Sequence, residues 1–179
     1  MLRRNGNPSN TIKRMNYRQA NNDDLEKMRS LALKSWNQFE KELTEDNWKK
    51  LSDTVGNRST YIQLVNTSYS VLCETDDQKI VGMAFLVPSG NPTEIYDEKW
   101  SYIRLVSVDP DYSGKGIGKQ LTMRCIEEAK NTKEQIIALH TSEMMNAARY
   151  IYESLGFKVL KELNPRLGKR YWLYTLTIA

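Results

Sequence analysis

Residues 106–121 read Val-Ser-Val-Asp-Pro-Asp-Tyr-Ser-Gly-Lys-Gly-Ile-Gly-Lys-Gln-Leu, an apolar strand entering a glycine-spaced turn and then an amphipathic helix. Glycines at 114, 116 and 118 allow positive φ and let peptide N–H groups face a ligand with no Cβ in the way. The helix N-terminus that follows adds free N–H groups and a partial positive charge. Such a turn serves phosphate binding. A nucleotide-triphosphate loop is excluded, because Gly118-Lys119 is followed by Gln120 and no glycine stands five positions before Gly118. A dinucleotide loop is excluded as well, since the last glycine of G-x-G-x-x-G, counted from Gly114, falls on Lys119.

A second informative stretch, residues 146–157, runs Asn-Ala-Ala-Arg-Tyr-Ile-Tyr-Glu-Ser-Leu-Gly-Phe. Ala147, Ile151 and Leu155 mark a buried helical stripe, and Gly156 ends the helix before a new strand. Asn146 precedes Tyr152 by six residues, nearly two turns, so both can reach one ligand from different heights along the helix.

Together, Val108-Asp109-Pro110 with Gly114-Lys115-Gly116-Ile117-Gly118, and Asn146 through Tyr152 to Leu155-Gly156-Phe157, resemble the two landmarks of the GNAT superfamily of N-acetyltransferases. Ser113 departs from the pattern, standing where that family usually has Arg or Gln. The resemblance implies acetyl-CoA as co-substrate, no metal, and direct acetyl transfer to a primary amine. It implies that Val106, Ser107, Val108, Ser113, Gly114, Lys115, Gly116, Ile117, Gly118 and Lys119 bind the cofactor, largely through main-chain N–H groups. Asn146 is implied as a hydrogen-bond partner of coenzyme A, and Tyr152 as the general acid beside the thioester sulfur.

Main-chain N–H groups around residues 105–108 are candidates to hold the oxyanion. A lysine-like amine, with a pKa of about 10.4, must also lose a proton before it attacks. Glu98 and Glu143, in the loops before and after neighbouring strands, and His140, the single histidine, are the candidate bases. Trp36 and Phe39 are candidates for the acceptor-site wall, or for the core. The 91–100 loop, with Glu94, Asp97 and Glu98, could attract a cationic amine. Two other readings stay open at this level: an acetyltransferase acting on a protein N-terminus or lysine, and a non-catalytic acyl-CoA-binding module.

These residues have to be positioned by an ordered set of elements. The pattern predicts a strand near 16–19, a helix entered from Asn22-Asp23-Asp24, and a second helix over 44–53. A hairpin of strands 69–74 and 79–87 follows, then strand 102–108, helix 117–130, strand 135–140, helix 144–155, and strands 157–163 and 171–178. That order gives an α/β (α+β) single domain, and the resemblance implies a mixed, mostly antiparallel central sheet flanked by helices.

The chain has 179 residues, enough for one domain with a sizeable core. Its formal net charge of +4 equals the contribution of Arg3, Arg4, Lys13 and Arg14, so the rest is close to neutral. That distribution argues against nucleic acid as a partner. The expected partner is a small-molecule or peptide amine, and a homodimer is left open. Residues 1–14 read as a polar, basic, flexible tail ahead of a domain over 15–179. No apolar run suits a membrane span or a secretory leader, which predicts a cytoplasmic protein. Cys73 and Cys125 sit in apolar segments away from metal-ligand spacing and read as reduced core residues.

Overall fold

A computed structural model describes residues 14–178. The expectation of a flexible tail therefore falls outside the described residues, except for Arg14. The elements run β1 (Met15–Gln19), α1 (Leu25–Trp36), α2 (Glu45–Val55), α3 (Arg58–Thr67), β2 (Tyr69–Thr75), β3 (Ile80–Val87), β4 (Ser101–Val108), α4 (Ile117–Asn131), β5 (Ile136–Ser142), α5 (Asn146–Ser154), β6 (Lys158–Arg166) and β7 (Lys169–Thr177). The seven strands form one sheet in the order β1-β2-β3-β4-β5-β7-β6, antiparallel throughout except for the parallel pair β4–β5. The predicted architecture is thus observed.

Alternation along the strands sorts the core to the two faces of this sheet. Leu72, Met83 and Phe85 pack with Met28 and Leu31 of α1, Leu51 of α2 and Tyr61 of α3. Their neighbours Val71, Cys73, Ala84 and Leu86 pack with Ile117, Leu121 and Cys125 of α4 and Tyr152 of α5. Every residue of β3 is buried, as a central strand covered on both sides must be. Both cysteines are free and buried, as expected.

Two local differences from the sequence reading have clear causes. The entry to α1 is capped by Asn21, whose side chain accepts from Asp23 N–H while Asp24 Oδ2 accepts from Asn21 N–H. Asn22, Asp23 and Asp24 form a 3₁₀ turn inside that cap, so the helical chain starts one residue earlier than its acids suggest. Helix α3 is absent from the sequence-based expectation, although Tyr61, Leu64 and Val65 stand on one face and pack into the core, because Ser59, Thr60, Ile62, Val65 and Thr67 give its ten residues low helix propensity. Its start is nonetheless marked by Asn57, whose side chain accepts from Ser59 N–H at 3.0 Å.

Gly82 lets α4 approach the sheet. A Cβ there would lie 2.6 Å from Ile117 Cγ2 and 3.0 Å from Leu121 Cδ1, in the first turn of the helix that follows the glycine loop. Gly82→Ala is therefore expected to lower unfolding free energy by about 1–3 kcal/mol, through overpacking. Urea denaturation measures this directly, and a change under a few tenths of a kcal/mol would show that α4 yields without cost.

The feature that opens the sheet lies in β4. Met83 pairs with Ser107 and Phe85 with Arg104, so Leu105 and Val106 together oppose the single residue Ala84. Leu105 takes φ +53° at this bulge. β4 and β5 pair only at Ser101–Ile137 and Tyr102–Ala138. Beyond Tyr102 the two parallel strands separate, and the main chain of residues 103–108 has no strand partner on that side.

Candidate active site

Two cavities meet beside this gap. The larger, about 700 Å³, is lined by Val106, Val108, Ser113, Gly114, Gly116, Ile117, Gly118 and Lys119 from β4 and the glycine loop, and by Asn146 and Tyr150 of α5. The smaller, about 420 Å³, lies toward α2 and β5 and includes Lys50, Arg104, His140, Arg166 and Tyr171. Trp36, Val106, Met145, Ala148 and Tyr152 border both, so the two cavities adjoin at Tyr152.

The glycine loop has the geometry its spacing requires. Gly114 and Gly116 take φ +74° and +75°, and no other atom lies within 4 Å of where a Cβ would stand on either. No side chain caps α4, whose first backbone bond runs from Gln120 N–H to Gly116 C=O at 3.0 Å. The N–H groups of Ile117, Gly118 and Lys119 thus remain for an anion at the cleft. A pyrophosphate fits this cradle because it needs main-chain donors and clear space, and both are present. Ser113 contributes its place in the loop and lines the cleft.

Asp109 anchors the loop. It is 1% exposed, yet its carboxylate meets Lys34 Nζ at 2.7 Å and Lys79 Nζ at 3.0 Å, and it accepts from Asp111 N–H at 3.0 Å. Burial by itself would raise its pKa. The two ammonium groups and the backbone donor outweigh that and hold it below the usual carboxylate range. One side chain therefore ties α1, the start of β3 and the turn before the glycines.

α5 is held by contacts to β7. Tyr174 donates to Glu153 Oε1 at 2.8 Å, Arg149 Nε donates to the Tyr174 hydroxyl at 3.3 Å, and the Arg149 guanidinium stacks 4.3 Å over Trp172. Asn146 is the first residue of the helix and Tyr152 lies near its end. The Tyr152 ring is 7% exposed and packs edge-on against Phe157. Its hydroxyl makes no hydrogen bond to the described residues, and burial pushes its pKa up, so it is a phenol at neutral pH.

Several expected site residues stand elsewhere. Ser107 faces into the protein, with its hydroxyl on Leu105 C=O at 3.2 Å, because Val106 and Val108 take the cleft side of the strand. Lys115 lies outside the cleft lining, over the Tyr112 ring at 4.8 Å. Glu98 is exposed and borders neither cavity; its loop is closed by a main-chain bond, Gly90 N–H to Glu98 C=O, which leaves the side chain in water. Glu94 and Asp97 are exposed too, and also border neither cavity. Glu143 is turned to β7, where it accepts from Arg170 N–H at 2.9 Å.

What the 88–100 loop brings inward is Tyr96, stacked on Tyr102 with ring centroids 4.1 Å apart and hydrogen-bonded to His140 Nδ1 at 2.6 Å. His140 lies within β5 rather than at its end. Burial, helped by the nearby Arg166 and Arg104 guanidinium groups, lowers its pKa to about 4, so the ring is neutral at pH 7. Arg104, Arg166 and Tyr96 were not legible as site residues, although a charge in the middle of the apolar run 102–108 was a usable signal for Arg104. Trp36 and Phe39 both line the larger cavity, and Trp36 the smaller as well. No helix among the described residues is long and apolar enough to cross a membrane, and no group of three or more metal-ligating side chains occurs among them.

Known proteins share this fold or stretches of this sequence. The L-amino acid N-acyltransferase MnaT of Escherichia coli (strain K12) is 33% identical over 70 residues, which cover 38% of this chain and 40% of that protein. The chain thus aligns with well under two thirds of that relative's length. The PaiA N-acetyltransferase of Thermoplasma acidophilum, solved in complex with coenzyme A, superposes with a TM-score of 0.75 at 16% identity, covering 92% of this chain and 99% of that one. YncA from Salmonella typhimurium, solved with acetyl-CoA, gives 0.67 at 17% identity, covering 92% and 94%. The profile of the acetyltransferase (GNAT) family matches residues 25–157, and on that match, with its fold and glycine loop, this chain belongs to the acetyltransferase (GNAT) family.

Proposed function

We propose that the chain is an acetyl-CoA-dependent N-acetyltransferase that transfers the acetyl group directly to a primary amine, with Tyr152 as general acid. The observation that carries this reading is the position of Tyr152, a buried phenol with no hydrogen-bond partner among the described residues, at the junction of an anion-binding cleft and a second cavity. Acetyl-CoA, when bound, supplies a thioester that an amine attacks and a thiolate that must leave.

The rest is the work of this chain. The N–H groups at the start of α4 hold the pyrophosphate, and Asn146 hydrogen-bonds further along the cofactor. The unpartnered main chain of β4 beyond Tyr102 offers donors to the acyl oxygen as it gains negative charge. Tyr152 gives its proton to the departing sulfur and is restored from the proton the amine nitrogen loses. Among the described residues no Asp or Glu lines either cavity, which favours a mechanism without a carboxylate base. The neutral acceptor amine is instead favoured by partial burial and by cations around the smaller cavity, both of which disfavour an ammonium ion.

The test is calorimetric titration of acetyl-CoA into the purified protein, followed by measurement of free thiol release with a panel of amines. Saturable binding with release on one class of amine supports the enzyme. Binding with no release on any acceptor favours the non-catalytic module, and absence of binding would remove the reading altogether.

A further inference from the structure

The smaller cavity has a one-sided charge. Lys50, Arg104 and Arg166 border it, and no Asp or Glu does. Among the described residues none of the three makes an ion pair or a side-chain hydrogen bond, while nearby acids are engaged elsewhere: Asp53 with Lys49 at 2.8 Å, and Glu162 with Arg170 at 2.8 Å. Arg104 and Arg166 are partly buried, from β4 and β6 respectively. A guanidinium that borders a cavity and has no counter-anion is open to pair with an anion that a ligand supplies. A fourth donor is also without an acceptor among the described residues: the buried indole N–H of Trp36, at the boundary of both cavities.

We infer that the acceptor is a small amine that also carries a carboxylate, as an α-amino acid does, and that Arg104 and Arg166 hold the carboxylate while the amine points through the gap toward Tyr152. This rests on the acetyltransferase reading above and narrows it. The planar forks of two arginines match a carboxylate better than a cation or an apolar tail. A polyamine or a free lysine side chain would bring positive charge into a cavity that already holds three cations, and would be repelled. A volume of about 420 Å³ suits a small molecule. The same cations lower the pKa of the acceptor amine, which accounts for the lack of a carboxylate base.

The test is thiol release from acetyl-CoA with each proteinogenic L-amino acid set against its own carboxamide, with spermidine and putrescine as cationic controls. The carboxamide has the less basic amine, so it is the better acceptor if the arginines take no part. The expected result is at least one amino acid with kcat/KM about tenfold or more above its amide, and no turnover of the polyamines. Arg104→Gln and Arg166→Gln are each expected to raise KM for that amino acid about tenfold or more, the loss of a charge-assisted hydrogen bond, and to narrow the acid-to-amide ratio. Acetyl-CoA affinity, measured separately, reports whether each variant is folded.

Amides or polyamines turned over as well as the acids would overturn the inference and leave the acetyltransferase reading standing. So would an unchanged KM in both folded variants, or acetyl-CoA binding with no amino acid reacting. Failure of acetyl-CoA to bind would remove the reading on which it rests.

Discussion

Tyr152→Phe is expected to lower kcat about a hundredfold or more while acetyl-CoA affinity stays within about twofold. The substitution deletes one oxygen and keeps the ring that packs against Phe157, so stability and the shape of the cleft are retained. The hydroxyl has no partner among the described residues to lose, so none of their donors or acceptors is orphaned by removing it. What disappears is the proton for the sulfur. The raised pKa of this phenol does not disqualify it, because both proton-transfer partners share one dry environment. Burial likewise pushes up the thiol of Cys125, on α4 beside Tyr152, and would do so for a coenzyme A thiol arriving there.

Rapid-quench or steady-state thiol release, with calorimetry for binding, separates the two effects. Equal loss of kcat and kcat/KM identifies an interaction made in the transition state. A variant that keeps its full rate would falsify the assignment of Tyr152 as general acid.

Stability is expected to fall by about 3 kcal/mol as pH is lowered from 7 to 4, and His140 is the cause. Its pKa is 6.5 in a solvated chain and about 4 in the fold, lowered first by burial and then by Arg166 and Arg104. Tyr96 and Tyr171 face the same ring and carry no charge in this range. Between those two values the unfolded chain binds a proton that the native protein excludes, so the unfolded state gains on acidification. The stabilisation is complete above about pH 6.5 and is lost as pH falls toward 4.

The chain has one histidine, so no other imidazole contributes. Carboxylates such as Asp24, held down by the Arg18 guanidinium, lose their contribution only at lower pH, as they protonate. Urea denaturation at pH 7, 5.5 and 4.5 measures the slope. In His140→Asn, where the amide stands close to the position of Nδ1 and can keep a hydrogen bond to the Tyr96 hydroxyl, the dependence above pH 4.5 should largely vanish. An equal slope in both proteins would place the titrating group elsewhere.

How the chain is read depends on the range over which its signals act. Local ones survive in the sequence: glycines at 114, 116 and 118 demand open backbone, Ile117 to Ala129 repeat on one helical face, and Asn146 and Tyr152 share a helix. From them the architecture, the open glycine loop and the position of Tyr152 on α5 follow, because each rests on backbone conformation or on spacing along one element. Helix α3 does not follow from them, since its ten residues are rich in hydroxyl and β-branched side chains of low helix propensity and only packing on the core fixes it as a helix.

The acceptor side is a different matter. Arg104, His140 and Arg166 come from three strands, and Lys50 from a helix near the start of the chain. They meet because a bulge at Leu105 turns β4 away from β5 after two paired residues, which no residue near Lys50 or Arg166 announces. Nor does the acidic composition of the 91–100 loop reveal that its carboxylates face water while Tyr96 is drawn inward to His140. By itself the sequence determined the fold, the geometry of the glycine loop and the residue offered as acid. Only the tertiary structure decided the charge of the smaller cavity, because that charge is a sum over side chains far apart in the chain, and only the sheet's topology says which of them face the same space.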